Sequence, residues 1–208
     1  MILGASGTIG SAIFRRLSQE KTLRVAGTCF SARQKEPPDL IRFSLEADIL
    51  PILRQVRPDV IVSALRGDFG KQLAVHEAAA NYVFAHSGKM ISLSTVNVFD
   101  GSLEKPHYES DARIAHSDYG RFKLQCEDLL WDRLGRQAAV LRLPFVWGKN
   151  SPRMEAVRAG CSAGELEVYD IQCNHAADLQ IAELVEWIIR EDKIGTFHVG
   201  TSDIVGYE

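Results

Sequence analysis

The stretch Met1-Ile2-Leu3-Gly4-Ala5-Ser6-Gly7-Thr8-Ile9-Gly10 decides the fold. A short apolar run leads into three glycines, and Ile9, Ile13 and Leu17 follow four residues apart, on one face of a helix. Glycines permit a tight turn and a close approach of the backbone to a pyrophosphate, and a helix N-terminus favours an anion. The strand–turn–helix context predicts dinucleotide binding at this turn, although the spacing is G-x-x-G-x-x-G. A glycine-rich turn without a ligand is the alternative.

The rest of the chain alternates short apolar runs with segments of helical period, which predicts an α/β, Rossmann-type doubly wound parallel sheet. Ala74–Ala85 and 179–190 have helical patterns, and 101–118 and 148–164 have the composition of long loops at the carboxyl edge of the sheet, where ligands bind. The predicted strands are Met1–Leu3, Leu23–Thr28, Leu40–Phe43, Val60–Ala64, Lys89–Leu93, Ala138–Leu143 and Thr196–Val199.

Composition excludes several classes of function. The 208 residues carry 24 basic and 27 acidic side chains, and this balance argues against nucleic acid or an anionic membrane as partner. No apolar run approaches the roughly 18 residues of a membrane span. The four cysteines form no C-x-x-C pair and the six histidines no spaced set, so we expect reduced thiols, no metal and a cytoplasmic location.

The end of the second predicted strand bears on the choice of dinucleotide. An NAD site usually places an acidic residue there for the ribose hydroxyl, whereas an NADP site supplies arginine. The segment Gly27-Thr28-Cys29-Phe30-Ser31-Ala32-Arg33 has no acid and one arginine. We therefore expect NADP(H), with Ser31 and Arg33 as ligands of the 2′-phosphate. NAD(H) stays open, because Arg33 as a solvated surface charge is the alternative interpretation.

Tyr119 and Lys123 are four residues apart and therefore share one face of a helix. A neighbouring ammonium lowers the pKa of a phenol and makes proton exchange with a substrate oxygen easier. Thr95 follows the apolar run Met90–Leu93, where its hydroxyl can hold a substrate carbonyl or merely cap a turn. Thr95, Tyr119 and Lys123 together predict a hydride-transfer site.

These residues resemble the short-chain dehydrogenase/reductase superfamily in its extended branch. The chain is most similar to the dTDP-4-dehydrorhamnose reductases and to their relative, the regulatory beta subunit of methionine adenosyltransferase. The resemblance covers nearly the whole chain and is most specific at Val98-Phe99-Asp100-Gly101. The resemblance also rests on Gly4–Gly10, Arg57–Val62, Ser94–Asn97, Tyr108-Glu109, Tyr119-Gly120 with Lys123 and Glu127, Leu141–Pro144 with Trp147-Gly148, and Gly195–His198.

The resemblance implies that a nicotinamide delivers hydride to a 4-keto sugar nucleotide while Tyr119 protonates the new alkoxide. Lys123 would be the electrostatic partner of Tyr119 and also hold the cofactor ribose, and Thr95 would bind the carbonyl. The implied cofactor contacts are Gly4, Ser6, Gly7, Thr8, Ile9, Gly10, Ala64, Leu65, Tyr119, Lys123 and Pro144, and the implied substrate contacts are Thr95, Val96, Asn97 and Tyr119.

The chain departs from the family at three places. Val96-Asn97 stands where the reductases usually carry Asp-Tyr, and Ser44 stands where an acidic residue is common. Family members also continue beyond the position of Glu208. We therefore expect one NAD(P)-binding domain over 1–208, in which 148–178 and the C-terminal end contribute a reduced substrate lobe.

Three functions follow from these patterns. The first is an NADP(H)-dependent reductase of a sugar-nucleotide 4-ketone. The second is a non-catalytic NADP-binding regulatory subunit, and the third is a sugar-nucleotide epimerase or dehydratase. The oligomeric state stays open, and the helix-rich edge of the predicted sheet is compatible with a homodimer.

Overall fold

The computed structural model describes residues 1–30, 40–149, 151–165, 173–202 and 204–205. The helices are α1 (Thr8–Ser18), α2 (Leu50–Val56), α3 (Phe69–Ala85), α4 (Asp118–Leu134), α5 (Pro152–Ala163) and α6 (Asp178–Arg190). The strands are β1 (Ile2–Leu3), β2 (Thr28–Cys29), β3 (Ile41–Arg42), β4 (Val60–Ser63), β5 (Lys89–Thr95), β6 (Ala138–Leu143), β7 (Phe145–Trp147), β8 (Cys173–Ala177), β9 (Gly195–His198) and β10 (Ile204–Val205).

A parallel sheet organises the fold, as the sequence predicts. Among the described residues its order is β1-β4-β5-β6-β9, and every pairing within it is parallel. The parallel pair β2–β3 continues the sheet beyond β1 through a bridge between Ile2 and Gly27. The strand order therefore reverses at β1, which makes the crevice beyond the carboxyl ends of β1 and β4 the expected ligand site.

Both faces of this sheet are covered by helices, because successive strand residues point to opposite sides. Ile2, Ile91 and Leu141 pack in one buried cluster with residues of α1 and α6. Leu3, Met90 and Val140, which belong to the same three strands, pack in a second cluster with residues of α2, α3 and α4. Apolar strands buried on both faces define the doubly wound arrangement.

Three predictions about local structure need correction. The predicted strand Leu23–Thr28 pairs with its neighbours only in its last residues, where β2 begins, and the helix α2 is not among the predicted elements. The stretch 148–164, which has the composition of a loop, contains α5. Ser151 caps this helix by accepting a hydrogen bond from the Met154 amide, and Pro152 occupies its first turn, so a standard helix-start signal was present.

The part of the chain around α5 also carries a small second sheet. Its order is β10-β8-β7, with β7 and β8 parallel and β8 and β10 antiparallel. This sheet follows the end of β6 and places the start of α5 beside the carboxyl edge of the main sheet. The other predicted loop, 101–118, is confirmed as irregular up to the start of α4.

Candidate active site

A cavity of about 680 Å³ opens at the carboxyl edge of the main sheet. Twelve residues that the sequence predicted for the site line it: Gly7, Thr8, Ile9, Gly10, Ala64, Leu65, Thr95, Val96, Asn97, Tyr119, Lys123 and Pro144. Gly4 and Ser6 lie in the same glycine turn but do not line the cavity. Ser31 and Arg33, the predicted ligands of a 2′-phosphate, lie outside the described residues.

The three glycines of the turn have three different structural roles. Gly4 has φ +83°, and a Cβ there would lie 2.7 Å from the Ala64 carbonyl oxygen. A Cβ on Gly10 would lie 3.0 Å from the Gly4 carbonyl carbon, so this glycine lets α1 pack directly on the turn. A Cβ on Gly7 would meet only the Gly4 carbonyl oxygen, at 3.5 Å, and would otherwise face open space. The turn thus fits a dinucleotide, since its backbone can be approached closely at Gly7.

Thr95 ends β5 and faces the cavity, and it also caps the 3-10 helix Val96–Phe99. Its hydroxyl accepts a hydrogen bond from the Asn97 amide at 3.2 Å and donates one to the Asn97 side chain at 3.0 Å. Tyr119 lines the same cavity as Thr95, and Thr95 opposes the rise in the pKa of the Tyr119 phenol. Capping and cavity lining, which the sequence offered as alternatives, therefore coexist in this residue.

Tyr119 and Lys123 both lie on α4, whose N-cap Ser117 accepts a hydrogen bond from the Gly120 amide at 3.0 Å. The Lys123 ammonium is 5.8 Å from the centroid of the Tyr119 ring and donates to the Leu93 carbonyl oxygen at 3.0 Å. Because Lys123 is buried, desolvation lowers the pKa of its ammonium below the ordinary value. The predicted one-face arrangement of the pair is confirmed.

The electrostatics of Tyr119 differ from the prediction. Desolvation raises the pKa of its phenol above the ordinary value although 41% of the residue is exposed, and it outweighs two opposing influences, the charge of Arg66 and the Thr95 side chain. The expectation that a cation leaves this pKa lowered is therefore wrong for the structure described. Arg66, rather than Lys123, is the cation whose charge opposes the increase.

Sequence reasoning missed several residues of the cavity wall. Arg66 follows the predicted Ala64-Leu65 pair directly, and Phe69 begins α3 with its ring stacked on Phe122 at 4.6 Å between centroids. Arg153 lies in the first turn of α5. Arg66 could have been predicted as a cavity residue from its position after β4. Arg153 could not, because the sequence predicts a loop where α5 forms.

A buried ionic network stabilises the end of β5, which carries Thr95. Glu127, which is fully buried on α4, accepts hydrogen bonds from Arg142 at 2.8 Å, from Arg113 at 3.0 Å and from the Ser94 hydroxyl at 2.5 Å. Arg142 also donates to the Glu109 carbonyl oxygen at 3.1 Å. The network thereby joins the end of β5, helix α4 and the 101–118 loop, and it fixes the strand end that carries Thr95.

The described residues contain neither a metal site nor a membrane-spanning helix. Within the described ranges, no cluster of three or more histidine, cysteine or acidic side chains has the arrangement of a metal site. In the same ranges, no helix is both long and apolar enough to cross a membrane.

The chain therefore has a doubly wound α/β fold with a cavity at the carboxyl edge of its parallel sheet. The chain belongs to the RmlD substrate binding domain family, whose model matches residues 71–206. It is also 27% identical over 117 residues to a dTDP-4-keto-6-deoxy-D-glucose reductase of Streptomyces niveus. That match covers 55% of this chain and 40% of the relative, so the chain matches less than half of the length of that enzyme.

Solved structures share the fold at low sequence identity. A dTDP-4-dehydrorhamnose reductase from Clostridium acetobutylicum has a TM-score of 0.77 at 20% identity over 99% of this chain and 75% of its own. The Bordetella bronchiseptica enzyme WbmH, in complex with NAD+, has a TM-score of 0.86 at 18% identity, covering 99% and 76%. A Bacillus anthracis dTDP-4-dehydrorhamnose reductase, in complex with NADP, has a TM-score of 0.78 at 18% identity, covering 99% and 75%.

Proposed function

We propose that the protein is an NADP(H)-dependent reductase of a sugar-nucleotide 4-ketone. The observation that supports this most is that one cavity gathers the glycine turn, Thr95, Tyr119 and Lys123. The membership in the RmlD family and the reductase relative favour the same class of substrate.

The residues at the edge of the sheet have distinct tasks in cofactor binding. Backbone amides of the Gly4–Gly10 turn would hold the pyrophosphate at the N-terminus of α1. Ala64, Leu65 and Pro144 would flank the dinucleotide beyond the ends of β4 and β6. When bound, the reduced nicotinamide supplies a hydride for the carbonyl carbon of the substrate. The preference for NADP(H) over NAD(H) rests on Ser31 and Arg33 and stays a prediction from the sequence.

The chemistry of the chain itself is a proton transfer. Thr95 would position the ketone oxygen by hydrogen bonding, near the Tyr119 hydroxyl in the same cavity. As the carbonyl carbon gains the hydride, Tyr119 gives its proton to the oxygen and the ketone becomes an alcohol. A raised phenol pKa keeps Tyr119 protonated at neutral pH, as a proton donor requires. Arg66 and Lys123 then stabilise the resulting phenolate until solvent returns the proton.

The substrate side is formed by elements that follow β6. We propose that α5, together with the small sheet of β7, β8 and β10, forms the substrate side of this cavity. Val96 and Asn97 contribute from the other side of the cavity.

The test is the loss of NADPH absorbance with dTDP-4-keto-6-deoxy sugars as substrates. We expect turnover with at least one of them, and we expect Tyr119→Phe to bind NADPH normally but to lose turnover. No turnover across these substrates would contradict the proposal, and full turnover by Tyr119→Phe would contradict the role of the tyrosine.

A further inference from the structure

Arg153 is a cavity residue to which neither the sequence nor the family resemblance assigned a role. It lies in the first turn of α5, directly after Ser151 and Pro152, and it lines the same cavity as the glycine turn. Its guanidinium carbon is 4.5 Å from the centroid of the Phe145 ring and 5.7 Å from that of Trp147. The side chain is therefore held over an aromatic platform formed by β7.

This platform is itself fixed by the small second sheet. The Trp147 indole N–H donates to His175 Nδ1 at 2.8 Å, and β7 pairs with β8 along its length. Contact with ring faces leaves the planar fork of guanidinium N–H donors available for a second partner. Such a fork matches the geometry of a phosphate group.

No carboxylate neutralises Arg153 within the part of the chain that the structure describes. Arg113, Arg121 and Arg142, by contrast, each lie within 3.0 Å of an acidic side chain. The described lining of the cavity contains Arg66, Lys123 and Arg153 but neither aspartate nor glutamate. The cavity thus carries an excess of positive charge, which favours an anionic ligand.

The segment that leads to Arg153 packs on the start of α1. A Cβ on Gly148 would lie 2.6 Å from Thr8 Cγ2, and the Ser151 amide donates to the Gly148 carbonyl oxygen at 3.0 Å. This tight turn brings the first turn of α5 to the rim of the pyrophosphate turn. A cation in this place can reach a diphosphate that lies across the cavity.

We propose that Arg153 binds the diphosphate group of a nucleotide ligand in this cavity. The inference rests on the proposed function for the nucleotide class of the ligand, and it adds a recognition residue from α5. A diphosphate occurs both in the dinucleotide and in the sugar nucleotide, so the experiment has one arm for each.

The test is isothermal titration calorimetry of the full chain with NADPH and, separately, with dTDP. Arg153→Gln removes the charge, and Arg158→Gln is the matched control, because Arg158 is exposed on the same helix and does not line the cavity. We expect Arg153→Gln to weaken at least one probe about tenfold or more, and the weakened probe identifies the source of the diphosphate. Arg158→Gln should bind both probes like the wild type.

Unchanged affinity for both probes in Arg153→Gln would overturn the proposal. An equal loss in Arg158→Gln would overturn it as well, since the effect would then be one of net charge. Failure of both probes to bind the wild type would also contradict it. Neither titration measures turnover. If Arg153→Gln loses diphosphate affinity while the wild type shows no reductase activity, only the proposed reductase activity is refuted.

Discussion

Alanine at Gly7 and alanine at Gly10 should separate cofactor binding from folding, although the two glycines are three residues apart in one turn. Gly7 has φ −74° as the N-cap of α1, an angle that alanine adopts readily, and the added methyl group would meet one atom at 3.5 Å. At Gly10 the added methyl group would be 3.0 Å from the Gly4 carbonyl carbon and 3.1 Å from Ala5 Cα, and nearer still to the Gly4 carbonyl oxygen. The first substitution fits the fold and the second does not.

The magnitudes follow from these contacts. Gly7→Ala loses about 0.5–1 kcal/mol as an N-cap and regains about 0.4–1 kcal/mol from the less flexible unfolded chain, so its stability should be close to that of the wild type. Overpacking costs about 1–3 kcal/mol, and the neighbours of Gly10 are backbone atoms that cannot rotate away, so we take the upper end of this range. Alanine regains about 1 kcal/mol of helix propensity, which leaves Gly10→Ala about 2 kcal/mol less stable.

The assays are urea unfolding and titration of NADPH by its fluorescence. Gly7→Ala should unfold like the wild type yet bind NADPH about tenfold or more weakly, because the methyl group occupies the space through which a pyrophosphate approaches the backbone. Wild-type affinity in Gly7→Ala would refute the placement of the pyrophosphate. Wild-type stability in Gly10→Ala would refute the packing argument.

Three other predictions concern buried and charged groups. Glu127→Gln should lower the free energy of unfolding by about 3–5 kcal/mol, because it leaves Arg142 of β6 buried without a counter-charge. Asp128→Asn should lower it by at most about 1 kcal/mol, because its ion pair with Arg113 is exposed. Urea unfolding measures both changes. Burial lowers the pKa of His76 to about 4 from 6.5, so the folded state resists protonation of this side chain. The free energy of unfolding should therefore fall by about 3 kcal/mol as the pH drops from 6.5 to 4. Urea unfolding at a series of pH values measures this decrease, which should be absent in His76→Gln. Arg66→Met should raise the pKa of the Tyr119 phenol further, as measured by absorbance titration against a Tyr119→Phe reference.

Each of these predictions has a clear contrary outcome. Similar stability losses in Glu127→Gln and Asp128→Asn would show that the buried network is no more important than a surface ion pair. An unchanged acid dependence in His76→Gln would mean that the histidine is already accessible to protons in the folded state. A phenol titration that does not move in Arg66→Met would remove Arg66 from the electrostatics of the site.

Much of the fold could be predicted because its signals are local. The turn at Gly4–Gly10 requires glycines for steric reasons, and the apolar runs of β4, β5 and β6 are buried on both faces of the sheet. Tyr119 and Lys123 share a face by helix geometry alone. Because the carboxyl ends of parallel strands meet at one edge, most of the candidate site followed from the same patterns.

The remainder depends on contacts between distant parts of the chain. Arg153 reaches the cavity only because β7 pairs with β8 and Gly148 packs on Thr8, and no periodic pattern reports such contacts. The direction of the Tyr119 pKa shift depends on the desolvation of the phenol at the cavity wall, which the spacing of residues does not show. Leu23 and Val25 favour a strand, yet pairing with β1 begins only at Ala26, whose carbonyl oxygen accepts a hydrogen bond from the Ile2 amide.

The transfer of a labelled hydride tests the central claim most directly. The protein is incubated with NADPH that carries deuterium at the transferable position of the nicotinamide and with a dTDP-4-keto-6-deoxy sugar, and the product is examined by NMR and mass spectrometry. We predict one deuterium on the carbon of the former ketone, with label transfer lost in Tyr119→Phe. An unreduced ketone, or a label at another carbon, would contradict the assignment of this cavity to hydride transfer.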